Sequence, residues 1–169
     1  MKKIFLVLAT FLTAQIYSQE IVGNTQFNLV DRMAIKNVID AYGFYWDTNQ
    51  LEKWMALFTD DAIDSRFLDK KESESKIKDN YAMYQERMKY FIKNKMQRRH
   101  MMANTLFVKQ TQSTATIEQY TTLLTTNSGS KTAIVSPIFY RFKLQKIDGI
   151  WKINYRQLLL DKKLDLPIK

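Results

Sequence analysis

The sequence predicts a single α+β domain, in which about three N-terminal helices pack over the concave face of a cone-shaped, curved antiparallel sheet and enclose a pocket. Apolar residues recur at helical spacing in the first part of the chain, and residues typical of strands dominate after Lys95. The chain has only four glycines and two prolines, so we expect no flexible linker. Its 169 residues suit one domain with a continuous core.

The first 18 residues have the layout of a cleavable secretory signal peptide. Two lysines precede an apolar run over residues 4–12, and Ser18 offers a small residue at the cleavage point. The run is too short to span a membrane. We therefore expect residues 19–169 to form one mature domain, periplasmic or secreted, with no membrane span. The chain has no cysteine, which excludes disulfides and a lipid-modified cysteine anchor.

The chain is basic, with a formal net charge of +9 that falls to +7 when residues 1–18 and their two lysines are removed. A net positive charge of this size can attract anionic polymers, so binding of an anionic polymer is one candidate function. The basic residues are scattered, however, which favours a solvated surface and no nucleic-acid partner. The densest group lies along a predicted helix and the strand after it: Arg87, Lys89, Lys93, Lys95, Arg98 and Arg99.

Three helices are predicted in the first part of the chain. The first begins near Asn28, which can cap it, and its periodic pattern breaks at residues 47–49. Residues 50–58 resume the helical pattern as a short second helix. Turn residues and a short strand follow, and residues 72–94 form the third helix.

Four long strands are predicted after the helices. Turn signals separate the strands, and Asp148-Gly149 is a strong hairpin signal between the last two. We place these strands at residues 97–109, 114–126, 132–147 and 150–160.

The only histidine, His100, lies on the first of these strands. A lone histidine on an apolar segment is more often structural than functional. Alternation divides the strand into two faces, and the more solvent-tolerant face is the one with Arg99, which favours an inward His100. Arg98 and Arg99 are interpreted separately as surface residues at the edge of the strand. The His100 face carries Met102, Asn104, Leu106 and Val108, and the Arg99 face carries Met101, Ala103, Thr105 and Phe107.

Proton transfer without a cofactor is the chemistry that the residues favour. One histidine and no cysteine make a poor zinc or transition-metal site, and the chain has no glycine-rich phosphate loop and no nucleophile elbow. Asp47 ends an aromatic helix beside Tyr42 and Tyr45, where partial desolvation suits a general acid or base. In the alternative interpretation Asp47 only ends the helix and the tyrosines belong to the core. Asp60-Asp61 is most simply a turn, or less simply a pair of acid–base carboxylates.

Three stretches resemble the SnoaL-like branch of the nuclear transport factor 2-like superfamily: "IKNVIDAYGFYWDTNQLEKWMALFTDDA", "RRHMMAN" and "FYRFKLQKIDGIWKINYRQLLLD". The resemblance covers roughly residues 29–161. It implies a cone-shaped domain with a deep apolar pocket, often dimeric through the sheet. The pattern is most similar to the branch of scytalone dehydratase and bile-acid dehydratase, which eliminate water by acid–base chemistry without a cofactor.

The resemblance assigns roles to three residues. It matches Asp47 to the aspartate of the first helix, Tyr42 to the tyrosine five residues earlier, and His100 to the histidine at the start of the long strand. The second polar catalytic group, on the next strand, has no counterpart, and at best Gln119 or Tyr120 replaces it. Arg156 lies near the position of a late arginine in the bile-acid enzyme, and the sequence leaves open whether it faces inward or is solvated.

These observations predict a small-molecule pocket protein, exported and without a cofactor or metal, with a possible homodimer. Asp47 and His100 are the predicted catalytic residues of a dehydratase or isomerase that acts on a small apolar hydroxy- or keto-compound. The alternative is a non-catalytic domain that binds a ligand or associates with a protein. The predicted substrate-binding residues are Tyr42, Tyr45, Asn104 and Tyr120.

Overall fold

A computed structural model describes residues 28–68 and 71–161, and the predicted signal peptide at residues 1–18 lies outside this part. Three helices and one six-stranded sheet confirm the predicted α+β class. Within the described residues no helix has the length and apolar character needed to cross a membrane. The elements are α1 (Leu29–Asp47), α2 (Leu51–Met55), β1 (Phe58–Leu68), β2 (Lys71–Lys76), α3 (Tyr81–Lys93), β3 (Gln97–Gln110), β4 (Thr114–Thr126), β5 (Thr132–Ile147) and β6 (Ile150–Leu160).

The strands form one curved sheet in the order β2-β1-β6-β5-β4-β3. All neighbours are antiparallel except β1 and β6, which are parallel. The sheet is therefore mostly antiparallel, in agreement with the prediction, and contains one parallel pair. The other four strands and α3 lie between β1 and β6 along the chain, so no hairpin forces these two strands to run in opposite directions.

The third helix is shorter than predicted, because residues 71–76 form strand β2 and α3 begins only at Tyr81. All six residues of β2 are exposed, and its backbone pairs with β1 from Lys71 to Lys76. A short, charged strand is a typical edge of a sheet because it discourages pairing with other chains. The second helix also ends early, at Met55, because Phe58 already starts β1.

Helix α1 lies across the sheet and contacts both β3 and β6. The side chain of Asn28 caps it by accepting hydrogen bonds from the backbone N–H groups of the first turn, as predicted. Gly43 lets the helix approach β3 closely, since a Cβ atom there would lie 3.3 Å from the Cβ of His100. Asp47 follows one turn later on the same side of the helix, so it also faces β3.

Asp31 holds the other end of α1. It is 6% exposed, and its Oδ1 accepts hydrogen bonds from Lys146 Nζ at 2.8 Å and from Trp151 Nε1 at 2.9 Å. The hydrogen bonds from Lys146 and Trp151 lower the pKa of Asp31 below its usual value. The first turn of the helix is thereby fixed to the hairpin of β5 and β6.

We predict that Asp31→Ala lowers the free energy of unfolding by about 2 kcal/mol, because it leaves the buried indole N–H of Trp151 without an acceptor. Urea unfolding measures the loss. Asp40→Ala on the same helix is the matched control, since Asp40 and its partner Lys36 are both 49% exposed, and we expect a change of at most about 0.5 kcal/mol. Equal losses in the two variants would contradict the anchoring role of Asp31.

Candidate active site

Asp47 and His100 form a buried pair where the end of α1 meets β3. His100 Nδ1 lies 2.6 Å from Asp47 Oδ1, and the backbone N–H of His100 donates to Asp47 Oδ2, also at 2.6 Å. The two side chains are only 4% and 7% exposed. A carboxylate that accepts at both oxygens requires the hydrogen of the imidazole on Nδ1. Nε2 makes no hydrogen bond to any described residue.

A bulge in β3 separates Asn104 from this pair. The pairing of β3 with β4 runs regularly from His100 to Met102 and then shifts before Thr105. Beyond the shift Thr105 points inward and accepts a hydrogen bond from the buried amide of Gln119. Asn104 is exposed, and its predicted place on the His100 face was wrong because simple alternation does not continue through a bulge.

Tyr120 and Tyr45 also lie outside the cavity in which they were predicted to bind substrate. Tyr120 is 59% exposed on the outer face of the sheet, where its ring contacts Phe139. Its neighbour Gln119 takes the inward position of β4. Tyr45 is half-buried and packs against the core, with Lys53 Nζ above its ring.

A cavity of about 80 Å³ lies beside the Asp47–His100 pair. His100 and Tyr42 line it, while Asp47 lies behind His100. This volume is well below the roughly 300–1,000 Å³ of pockets for drug-sized ligands. A small ligand therefore suits it. The other aromatic and basic lining residues are Trp46, Tyr84, Phe91, Tyr140, Arg66, Arg87, Arg98 and Arg156.

Tyr140, which no pattern in the sequence singled out, also lines the cavity. The hydroxyl of Tyr42 accepts a hydrogen bond from Arg156 Nη1 at 3.0 Å and donates one to Tyr140 at 3.4 Å. The hydroxyl hydrogen of Tyr140 then has no acceptor among the described residues. Burial raises the pKa of Tyr140 well above its usual value, so the group stays protonated and able to donate. Such a donor can stabilise a developing oxyanion.

Arg156 and Asp64 form a second buried pair. Arg156 Nη2 lies 2.6 Å from Asp64 Oδ1, and the two residues are 4% and 1% exposed. Arg66 and the hydroxyl of Tyr84 donate to the other oxygen of Asp64. Burial by itself would raise the pKa of Asp64, but the positive charges of Arg156 and Arg66 outweigh it, and the pKa lies below its usual value.

The inward position of Arg156, which the sequence left open, depends on a bulge. Trp151 and Ile153 are buried on the inner face of β6, and the pairing with β5 then shifts between Ile153 and Tyr155. The shift changes the alternation, so that Arg156 turns inward and not Tyr155. Arg156 is also the register partner of Asp64 in the parallel pairing of β1 with β6.

Arg98 is buried, and its predicted place on the surface was wrong. It is 3% exposed, and its guanidinium lies between the rings of Trp46 and Phe91, 4.7 Å and 4.2 Å from their centroids. Burial lowers the pKa of Arg98 to about 10. The negative charge of Asp47 raises this pKa, and the positive charge of Arg87 lowers it, but burial has the largest effect. Strand alternation in the sequence indicates this inward position, since Arg98 is two residues from His100 and therefore lies on the same face of the strand.

Asp60 and Asp61 lie away from the cavity. Both are exposed residues of β1, and Asp61 accepts a hydrogen bond from the hydroxyl of Thr59 at 2.7 Å. Within the described residues no group of three or more Asp, Glu, His or Cys side chains is placed to hold a metal ion.

We predict that Asp64→Leu lowers the free energy of unfolding by about 3–5 kcal/mol, because it leaves the charge of Arg156 buried without a partner. The double variant Asp64→Leu/Arg156→Met should recover part of this loss, since no unpaired charge remains. Urea unfolding of the single and double variants gives the coupling. Additive losses would show that the pair does not act as a unit.

The same pair gives the fold an acid-sensitive component. Because the pKa of Asp64 is lowered by folding, its contribution is present above the ordinary aspartate pKa of about 4 and is lost as the pH falls through the folded value. As the pH is lowered from about 5, the free energy of unfolding of the double variant should therefore fall less than that of the unmodified protein.

The family model of the SnoaL-like domain matches residues 28–157. No curated protein matches the chain significantly.

Three similar solved structures come from Novosphingobium aromaticivorans. One, described as a nuclear transport factor 2-like protein with a cystatin-like fold, is 17% identical with a TM-score of 0.64 and covers 79% of this chain and 83% of its own. A protein assigned as a scytalone dehydratase is 20% identical, with a TM-score of 0.65 and coverage of 84% and 91%. The β subunit of a protein assigned as an aromatic-ring-hydroxylating dioxygenase is 19% identical, with a TM-score of 0.67 and coverage of 83% and 95%. At these identities the likeness establishes the fold and no activity.

Proposed function

Because the chain belongs to the family of SnoaL-like domains, we propose that its cavity carries out acid–base catalysis without a cofactor, either eliminating water from a small hydroxy-compound or isomerising a small keto-compound. One observation carries the proposal. His100 lines the cavity with its ring fixed by Asp47 through Nδ1, and its Nε2 has no described partner. An oriented imidazole beside a small, largely aromatic cavity suits general acid–base catalysis, in which the ring takes up and releases one proton.

In the proposed reaction Nε2 of His100 removes a proton from the carbon next to a carbonyl group. Asp47 keeps the ring in the correct tautomer and stabilises the imidazolium without taking the proton itself. The hydroxyl of Tyr140 donates a hydrogen bond to the enolate oxygen as its charge develops. For dehydration the imidazolium returns the proton to the leaving hydroxyl group, which departs as water, and for isomerisation it returns the proton to another carbon.

Tyr140 supplies the second polar group of this mechanism. The dehydratases that the sequence resembles carry a second polar catalytic group on the strand after the one with the histidine. This chain has no charged residue at that position. The inward residue of β4 is Gln119, and its amide already donates to the backbone of Ala103 at 3.3 Å and to Thr105 at 2.8 Å. Gln119 therefore supports the bulged strand, and Tyr140 on the adjacent strand is the free donor.

We predict that Asp47→Asn and His100→Gln each lower the rate of proton abstraction by about 10²- to 10⁴-fold. The measurement is proton NMR of small phenolic and cyclic hydroxy- and keto-compounds in D₂O, which follows deuterium incorporation next to the carbonyl and loss of water. Arg99→Gln is the matched control, because Arg99 is an exposed residue of the same strand and its loss should leave the rate unchanged.

Equal exchange rates in the unmodified protein and both active-site variants would exclude the pair as the base. Exchange no faster than in buffer, over the whole panel, would favour the alternative function, a non-catalytic binding or association domain. The homodimer stays a prediction, and the exposed side chains of Met101, Leu106 and Tyr120 on the outer face are the apolar surface it would use.

A further inference from the structure

Positive charge exceeds negative charge around the cavity. Four of the seven arginines in the chain line it: Arg66, Arg87, Arg98 and Arg156. Among the described residues two carboxylates lie near this group, and each is already engaged, Asp64 with Arg156 and Arg66 and Asp47 with His100. An excess of cations in a largely closed space is unfavourable unless an anion joins them, since charges there are poorly screened.

Arg87 lines the cavity and forms no ion pair with any carboxylate in the described part of the chain. It lies on α3, and its guanidinium also makes no hydrogen bond or ring contact with any described residue. Burial lowers the pKa of Arg87, and the nearby charge of Arg66 lowers it further. The arrangement therefore favours a negative group at this point.

Arg98 adds a second unused donor to the lining of the cavity. Its Nη2 is bound to the backbone oxygen of Trp46 and to Asn49, but its Nε has no hydrogen-bond partner although the residue is 3% exposed. A buried N–H group without an acceptor is destabilising, and a bound anion would remove that penalty.

We propose that the ligand of this cavity carries a carboxylate group, which Arg87 and Arg98 bind while the hydroxy- or keto-bearing carbon faces His100. The inference rests on the proposed function, because it names the substrate class of the same site. A guanidinium group pairs with a planar carboxylate through parallel hydrogen bonds. The rings of Trp46 and Phe91, which flank Arg98, suit a flat ring or a conjugated chain beside that carboxylate.

The carboxylate anchor would also orient the substrate for proton transfer. An ion pair at one end of a small molecule fixes the distance of its reacting carbon from a base at the other end. A small hydroxy- or keto-acid is thus held for His100, whereas its neutral ester or amide lacks the anchor.

The test compares benzoate with benzamide, a neutral molecule of nearly the same shape, by isothermal titration calorimetry in low-chloride buffer. We expect the unmodified protein to bind benzoate at least tenfold more tightly than benzamide. Arg87→Gln should weaken benzoate binding at least tenfold and leave benzamide unchanged, and Arg87→Lys should recover part of the affinity. Lys89→Gln removes the same charge from an exposed position of α3 and should change benzoate binding less than twofold.

Equal affinity for benzoate and benzamide would overturn the inference, and so would equal losses in Arg87→Gln and Lys89→Gln. Phosphate as a further ligand tests the anion class, and binding tighter than that of benzoate would overturn the assignment to carboxylates. The two proposals fail separately. Benzoate binding that persists while no compound exchanges deuterium rejects only the catalytic function, whereas exchange of neutral ketones without benzoate binding rejects only the carboxylate anchor.

Discussion

The double hydrogen bond between Asp47 and His100 is the interaction on which the site depends. One carboxylate oxygen binds the ring and the other binds the backbone of the same residue, so the end of α1 is joined to an edge strand of the sheet. Gly43 permits the close approach that this contact requires, and Asp31 fixes the far end of the helix. A helix held at both ends closes one side of the cavity, and the other ring nitrogen of His100, Nε2, has no partner among the described residues.

Periodic patterns predicted the parts of the fold that depend on local sequence. The cap at Asn28, the extent of α1 and the four long strands agree with the structure within a few residues. The inward His100 and its proximity to Asp47 also follow from these patterns and from the family resemblance. Residues 71–76 were misjudged because an edge strand with alternating charged and small polar residues has no apolar face to identify it.

The rest of the site depends on features that periodicity does not reveal. Bulges in β3 and β6 exchange the two faces of each strand, which turns Asn104 outward and Arg156 inward. Asp64 meets Arg156 because they are register partners in the one parallel pairing of the sheet, and nothing local in the sequence signals that pairing. These contacts link residues far apart in the chain, and they supply most of the polar groups that surround the cavity.

The tautomer of His100 tests the central claim most directly, and as the only histidine it gives an unambiguous NMR signal. Long-range ¹⁵N–¹H correlation spectra, recorded at a pH at which the ring is neutral, distinguish Nδ1–H from Nε2–H. The geometry predicts hydrogen on Nδ1, a strongly deshielded Nδ1–H proton bound to Asp47, and loss of that proton signal in Asp47→Asn. Hydrogen on Nε2, or a spectrum that Asp47→Asn leaves unchanged, would contradict the assignment of His100 as an oriented base.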